Sequence, residues 1–470
     1  MSDGIASRSR TGRGAPRGGL VLRASVACAG VAAAALVLAY DIHAGGSWGL
    51  TGWETLALLG GVLAWLWAFL PFARGPKLLL LGSTIAGLLA AEAALRAVFP
   101  AQFTTLYSID DRCLHRYIPG AQRLIETKNL GRRGPILVRI NADGYRGAPL
   151  RPRAAGAIRL AVFGDSFVAA EQTALDATFV ARLEARLADA LGRPVECVNA
   201  GVVAYGPDQE CARMEEDLPR LSPDLAIVAL YADNDFGDLL RNKMFRVSPD
   251  GALVPNRFTI GPALRGDFAR ARASRLWNLA QKSWWPIETA INRLRGPAAA
   301  DNDPRARMKS WLARGRGEFA EFALRGGDEV SNLFEDYYDA DVSLEPESEA
   351  ARYKTRLMAA MIARIGVTAA RAGIPVAVVV IPSAVDLRDD HDRAPFDSTA
   401  YPAYRRSTLT DSLDAFAARS GIPSLNLYAP FRDSGPDSLY ERAGGHWNDA
   451  GQDLAARRMA EFLIARGLVR

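Results

Sequence analysis

The chain has 470 residues, 49% hydrophobic and 23% charged, which excludes both a single small module and wholesale disorder. Four cysteines (Cys28, Cys113, Cys197, Cys211) without CxxC spacing and four histidines exclude a disulfide-dense scaffold and the usual zinc arrays, and no residue set calls for a metal or cofactor. The formal charge of +5 is local: Arg8, Arg10, Arg13, Arg17 and Arg23 against Asp3 place +4 of it in residues 1–23, a topology signal rather than a nucleic-acid footprint.

Three apolar stretches follow the basic tail: Ala24 to Tyr40, Thr55 to Phe72 and Leu78 to Val98. Each is of a length that crosses about 30 Å of hydrocarbon at roughly 1.5 Å per residue. The sequence therefore predicts three transmembrane helices within residues 24–99. The tail and the link Ala73-Arg74-Gly75-Pro76-Lys77 are positive, whereas Asp41 to Gly49 has no Lys or Arg, so the N-terminus is expected in the cytoplasm. Everything after about Phe99 is then expected outside, in the periplasm where the cell has one. Cys113, Cys197 and Cys211 would sit where disulfides are permitted.

Residues 100–157 read as a polar connector with short strands, ending in an Asp143-Gly144 turn. From residue 158 to 470, short apolar strands alternate with helical patterns. Strands are predicted at Ile158 to Phe163, Val195 to Val198, Leu225 to Tyr231, Val376 to Ile381 and Ser424 to Leu427. That alternation requires crossovers, hence an α/β fold with a parallel sheet and helices on both faces. A helical insertion at about 241–350, with a hairpin at Phe245 to Val254, interrupts the rhythm. It carries Trp277, Trp284, Trp285 and Trp311, which form either its own small core or a sugar-stacking platform.

Gly45-Gly46-Ser47-Trp48-Gly49 matches the G-x-S-x-G elbow by letter, but it lies in a loop between two apolar spans, without the strand and helix that device needs. Ser166 is the better nucleophile. In Phe163-Gly164-Asp165-Ser166 a strand delivers the serine to its carboxyl end, and Gly164 permits a tight turn before the next helix. Three further segments end on the same edge: Asn199 to Gly206, Asp233-Asn234-Asp235, and Gly445-His446-Trp447-Asn448.

These ordered blocks resemble the SGNH, or GDSL-type, hydrolase superfamily over residues 158–240 and 352–470. The resemblance implies a flavodoxin-like three-layer domain with Ser166 as nucleophile and His446 as general base. It implies an oxyanion hole made by the Ser166 N–H, a backbone N–H of the second block at Ala204, and the Asn234 amide. Gly164, Asp165, Gly201 and Asp235 support these groups. His43 lies in a membrane loop, His115 in the connector and His391 in an acidic loop, which leaves His446 as the base. Two positions depart from the family pattern: Ala204 stands where glycine is usual, and Ala443 and Gly444 stand where the acid that orients the histidine is usual. Asp437, Glu441 and Asp449 are the candidate substitutes.

The expected protein is thus a membrane-anchored, extracytoplasmic serine esterase or O-acyltransferase acting on an acylated substrate such as a cell-envelope polysaccharide. The His446-Trp447-Asn448 context and Gly451 are similar to SGNH proteins of alginate-type O-acetylation, and a transferase would need an integral-membrane acyl-donor partner. The missing acid suggests as an alternative a catalytically degenerate glycan-binding or envelope-assembly protein. The membrane location suggests a third, a lysophospholipase.

Overall fold

A computed structural model describes residues 74–98, 105–125, 135–273, 304–388, 400–441 and 445–470. The chain divides into two units, one of Met1–Ala97 with Asn278–Ala290 and the other of Val98–Trp277 with Ile291–Arg470. In the first unit the described element is helix α1 (Arg74–Val98), which runs through the third apolar stretch. The first two predicted spans lie outside the described residues, as do Cys28, His43, Trp277, Trp284, Trp285 and His391. Among the described residues no helix is long and apolar enough to cross a membrane, so the three-span expectation rests on the sequence.

The second unit opens with two small antiparallel hairpins, β1 (Tyr107–Asp110) with β2 (Leu114–Tyr117) and β3 (Gln122–Ile125) with β4 (Ile136–Arg139). The chain then enters β5 (Ile158–Phe163), a one-turn helix α2 (Ser166–Ala169) and α3 (Phe179–Leu191). Thr178 caps α3 by accepting the Ala181 N–H, and Gly192 ends it in the left-handed conformation that suits glycine. Strand β6 (Val195–Asn199), α4 (Pro207–Leu221), β7 (Leu225–Ala232) and α5 (Asp235–Asn242) follow.

Between α5 and the next long helix lie the hairpin β8 (Phe245–Val247) with β9 (Leu253–Pro255), then β10 (Thr259–Ile260) and α6 (Pro262–Ala273). The same interval holds α7 (Pro304–Phe319), β11 (Glu329–Val330) parallel to β10, and α8 (Ala340–Leu344). The doubly wound rhythm resumes with α9 (Glu349–Arg371), β12 (Val376–Pro382), α10 (Ala384–Leu387), α11 (Thr408–Arg419), β13 (Ser424–Asn426), α12 (Tyr428–Asp433) and α13 (Asp449–Ala465).

The main sheet has five strands in the order β13-β12-β7-β5-β6, every pair parallel. Side chains alternate across it because the strand period is two. Phe163, Val228, Leu230, Val378 and Val380 pack into one buried cluster with α4, α9 and α11. Val162, Ile227, Ala229, Val379 and Ile381 pack into another with α3 and α13. Each fully buried aliphatic side chain of this kind contributes roughly 1.5–3 kcal/mol. The expected α/β fold with a parallel sheet is present, in the flavodoxin-like strand order. In such an order the crevice opens where β5 and β7 lie adjacent but send their connections to opposite sides, beyond their carboxyl ends.

Cys113, Cys197 and Cys211 are all free thiols.

Candidate active site

The end of β5 is shaped by two close approaches. A Cβ at Gly164 would strike the Val168 side chain, and one at Gly201 would lie 2.6 Å from the Ala169 nitrogen and 2.6 Å from Val168 Cβ. Glycine at these positions lets the loop after β6 lie directly against α2. Asp165, buried, caps α2 by accepting the Phe167 N–H at 2.9 Å. Asn199 binds the same helix from the side, donating to the Val168 carbonyl at 2.7 Å while accepting the Gly201 N–H at 3.1 Å. Ser166 is thereby fixed at the first position of α2.

The C-terminal block is held as firmly. Trp447 is buried and packs edge-on to Phe167 at 4.9 Å and stacked on Phe431 at 5.1 Å. The Glu441 N–H donates to the His446 carbonyl at 2.7 Å, and the Asn448 side chain accepts the Ala450 and Gly451 N–H groups at the start of α13. The His446 ring stacks on Phe167 with centroids 5.0 Å apart. Its Nε2 lies 2.8 Å from Ser166 Oγ. A nitrogen with a free pair at that distance can take the hydroxyl proton as the oxygen attacks.

Ala204 and Asn234 border the same space. Ser166, His446, Ala204 and Asn234 all line one cavity of about 220 Å³, which Trp311 of α7, Tyr337 and Tyr338 also line. Ala204 has φ +62°, a left-handed conformation that costs an alanine about 1–2 kcal/mol and a glycine little. Asn234 is buried at the start of α5 and donates its Nδ2 to Asp238 Oδ2 at 3.1 Å. Asp235 folds back to accept the Tyr231 N–H at 2.7 Å, closing the turn that presents Asn234. A larger cavity of about 370 Å³ lies over β6, lined by Arg151, Glu184 and Glu196 among others, and contains none of these four residues.

Of the candidate orienting acids, Asp437 is 71% exposed and pairs with Arg388 Nε at 3.3 Å. Asp449 is exposed in the first turn of α13, and Glu441 is buried, with its backbone N–H on the His446 carbonyl. Three other carboxyls line the cavity, Asp165, Asp233 and Asp336. Burial pushes Asp165 up to about 7, against the Phe167 N–H and helped by the Asp336 and Asp233 carboxyls. Burial likewise pushes Asp233 up to about 7, opposed by its hydrogen bond from Ser383. Among the described residues no group of His, Cys, Asp and Glu side chains could hold a metal ion.

Sequence reasoning missed the part played by the connector. Arg146 sends its guanidinium to the carbonyls of Ala169, Ala170 and Thr173 at the open end of α2, and the Tyr117 hydroxyl donates to Glu171 at 2.8 Å. His115 reaches the loop after β6. No local pattern marks these residues, since their partners lie far away in sequence.

Comparison with known proteins gives one family match: residues 337–469 match the model described as SGNH hydrolase-like domain, acetyltransferase AlgX. The match contains His446 and bears out the resemblance to the SGNH superfamily and its alginate-type acetylation proteins. A search of the curated proteins found no match. Similar solved structures include TesA, at 15% identity, covering 66% of this chain and 99% of that one with a TM-score of 0.32. A mutant of an acetyl-xylooligosaccharide esterase from Geobacillus stearmophilus is 11% identical, covering 65% and 94% with a TM-score of 0.31. The alpha/beta hydrolase LAE5 from the metagenome of Lake Arreo, Spain, is 15% identical, covering 67% and 96% with a TM-score of 0.30. TM-scores this low leave the fold assignment resting on the strand order itself.

Proposed function

We propose, on the premise that residues 337–469 carry an SGNH hydrolase-like domain of the acetyltransferase type, that this protein is a serine esterase or O-acyltransferase working through an acyl-enzyme on Ser166. The observation that carries the reading is the 2.8 Å approach of His446 Nε2 to Ser166 Oγ on a cavity also lined by Ala204 and Asn234. Ser166 Oγ attacks the ester carbonyl and gives its proton to His446 Nε2. The carbonyl oxygen, now negative, is stabilised by the Ser166 and Ala204 N–H groups and by the Asn234 amide turned from Asp238. Collapse breaks the ester C–O bond, the leaving alkoxide takes the proton from His446, and the acyl group stays on Ser166. Water or an acceptor hydroxyl then attacks with His446 again as base, the acyl–Oγ bond breaks and Ser166 takes the proton back from His446, so hydrolase and transferase differ only by what enters.

The cavity lining supports a substrate class. Trp311 brings an aromatic ring to the lining and Asp336 and Asp233 bring polar oxygens, a combination that suits a sugar ring with an acyl substituent. The lining and the match to an acetyltransferase model support an acetylated glycan as the acyl substrate. The basic tail and three apolar stretches support anchoring in the cytoplasmic membrane with residues after 99 outside, where envelope polysaccharide is available. A transferase of this kind would receive its acyl group from an integral-membrane partner. A fluorophosphonate probe applied to the full-length chain tests the reading: labelling that disappears in Ser166→Ala supports the enzyme, and a folded wild-type chain that stays unlabelled points to a glycan-binding role.

A further inference from the structure

The peptide unit that joins Val203 to Ala204 has two ends with different partners. Its N–H belongs to Ala204, on the cavity wall. Its carbonyl belongs to Val203 and faces His115, whose Nε2 lies 2.8 Å from the oxygen. A carbonyl can only accept, so Nε2 carries the proton and Nδ1 the lone pair. The rest of the network agrees with that tautomer. Gln209 Oε1 accepts the Gly206 N–H at 3.0 Å and the Asn242 amide at 2.9 Å, which turns its Nε2 toward His115 Nδ1 at 3.3 Å.

The His115 ring is fully buried against Tyr205, at 5.1 Å edge-on, and Phe334, at 5.2 Å. The Tyr205 hydroxyl closes the clasp by donating to the His115 carbonyl at 2.6 Å.

We propose that His115 is a positioning residue for the esterase site: its Nε2–H holds the Val203 carbonyl so that the Ala204 N–H, at the opposite end of the same planar peptide, points at the oxyanion beside Ser166. In a trans peptide the C=O and N–H are antiparallel, so pinning one aims the other. Donation to the carbonyl also polarises the amide and strengthens it as a donor. The need follows from the residue at position 204. With alanine rather than glycine at φ +62°, the loop has an incentive to rotate the 203–204 peptide out of register, and the histidine opposes that rotation. Burial pushes His115 down to about 4, so the ring is neutral and the single Nε2 proton is committed to Val203.

The inference rests on the esterase reading and is tested with it on the full-length chain, using p-nitrophenyl acetate as the probe. Removing an oxyanion donor costs about a hundredfold to a thousandfold, so misaiming one should cost less. His115→Phe, which keeps a ring but has no donor, is expected to lower kcat about 10- to 100-fold with KM within about twofold. His115→Gln, whose amide can donate to the same carbonyl, should recover kcat to within about fivefold of wild type. A phenylalanine variant with wild-type kcat, a loss confined to KM, or a glutamine variant as slow as phenylalanine overturns the proposal.

A structure of the wild-type chain trapped by a phosphonate gives a readout independent of these variants. The phosphoryl oxygen should lie within about 3.1 Å of the Ala204 nitrogen while His115 keeps its bond to Val203. A phosphoryl oxygen remote from Ala204, or a His115 ring turned away, overturns it. A folded wild-type chain that neither hydrolyses the ester nor accepts the phosphonate overturns the esterase reading, and the inference with it.

Discussion

Ser166 and His446 are 280 residues apart in the chain, yet the serine Oγ and the imidazole Nε2 meet at 2.8 Å. The contact depends on Trp447, which anchors the histidine loop between Phe167 and Phe431, so that His446 and the helix bearing Ser166 share one aromatic cluster. His446→Gln keeps a hydrogen-bonding side chain but cannot take a proton at neutral pH. Hydrolysis of p-nitrophenyl acetate is expected to fall on the order of a thousandfold or more, with the melting temperature unchanged.

Ala204 offers a test of the loop that the SGNH proteins it resembles usually build with glycine. Glycine relieves about 1–2 kcal/mol of left-handed strain but adds roughly 0.5–1 kcal/mol of chain entropy, so Ala204→Gly should leave stability level or slightly raised. Its activity should stay within about twofold of wild type. Ala204→Val, β-branched at the same φ, should destabilise the fold by more than about 1 kcal/mol and lower kcat at least about tenfold. Urea unfolding and ester hydrolysis measured on both variants decide.

Trp311 should separate glycan recognition from chemistry. Trp311→Ala is expected to raise KM for an acetylated oligosaccharide about tenfold while kcat for p-nitrophenyl acetate stays within about threefold, because the small ester does not need the aromatic wall. Equal losses on both substrates would assign Trp311 to packing against Tyr338, which it meets at 5.9 Å.

Lys354 is fully buried and bonds Asp339 and Asp341, each at 2.9 Å. Asp339 also accepts the Gly237 N–H at 3.1 Å, and its own N–H donates to the Asp233 carbonyl at 2.6 Å, which ties the pair to the end of β7. Lys354→Met strands two buried carboxylates and should cost about 3–5 kcal/mol in urea unfolding. Adding Asp339→Asn and Asp341→Asn should recover part of that loss, since the uncompensated charges go with them.

Stability should fall as pH rises from about 4 to 7. Asp165, Asp208 and Asp233 are each pushed up to about 7, in every case chiefly by burial. In the unfolded chain an aspartate titrates near about 3.9, so across that window the native state holds protons the unfolded state has released. The melting temperature should therefore be higher at pH 5.5 than at pH 8. Asp208→Asn should flatten the slope, because Asp208 is buried with one oxygen lacking a partner among the described residues. A melting temperature that rises from pH 5.5 to 8 would contradict the assignment.

The sheet was legible in the sequence because its strands are short apolar runs bounded by turn residues. Ile158–Phe163 and Phe179–Leu191 fall at the expected limits, and β6, β7, β12 and β13 within a residue or two. Ser166, Asn234 and His446 were legible for the same reason, since each follows a strand or precedes a helix at one edge of a doubly wound sheet. The left-handed backbone at Ala204 and the bond from His115 to Val203 were not. Both arise from packing between the connector and the loop after β6, a contact spanning 88 residues that leaves no periodic trace in either segment. Trp311 was visible as an aromatic in the insertion, but whether it joined a core or a cavity wall depended on how α7 packs against α5 and α8.

The most direct measurement is mass spectrometry of the full-length chain after brief exposure to p-nitrophenyl acetate. An adduct of roughly 42 Da on the peptide containing Ser166, absent in Ser166→Ala and accumulating in wild type when water attack is slowed, is the predicted result. A folded chain that hydrolyses the ester with no adduct at Ser166, or carries it on another residue and keeps it in Ser166→Ala, would contradict the account.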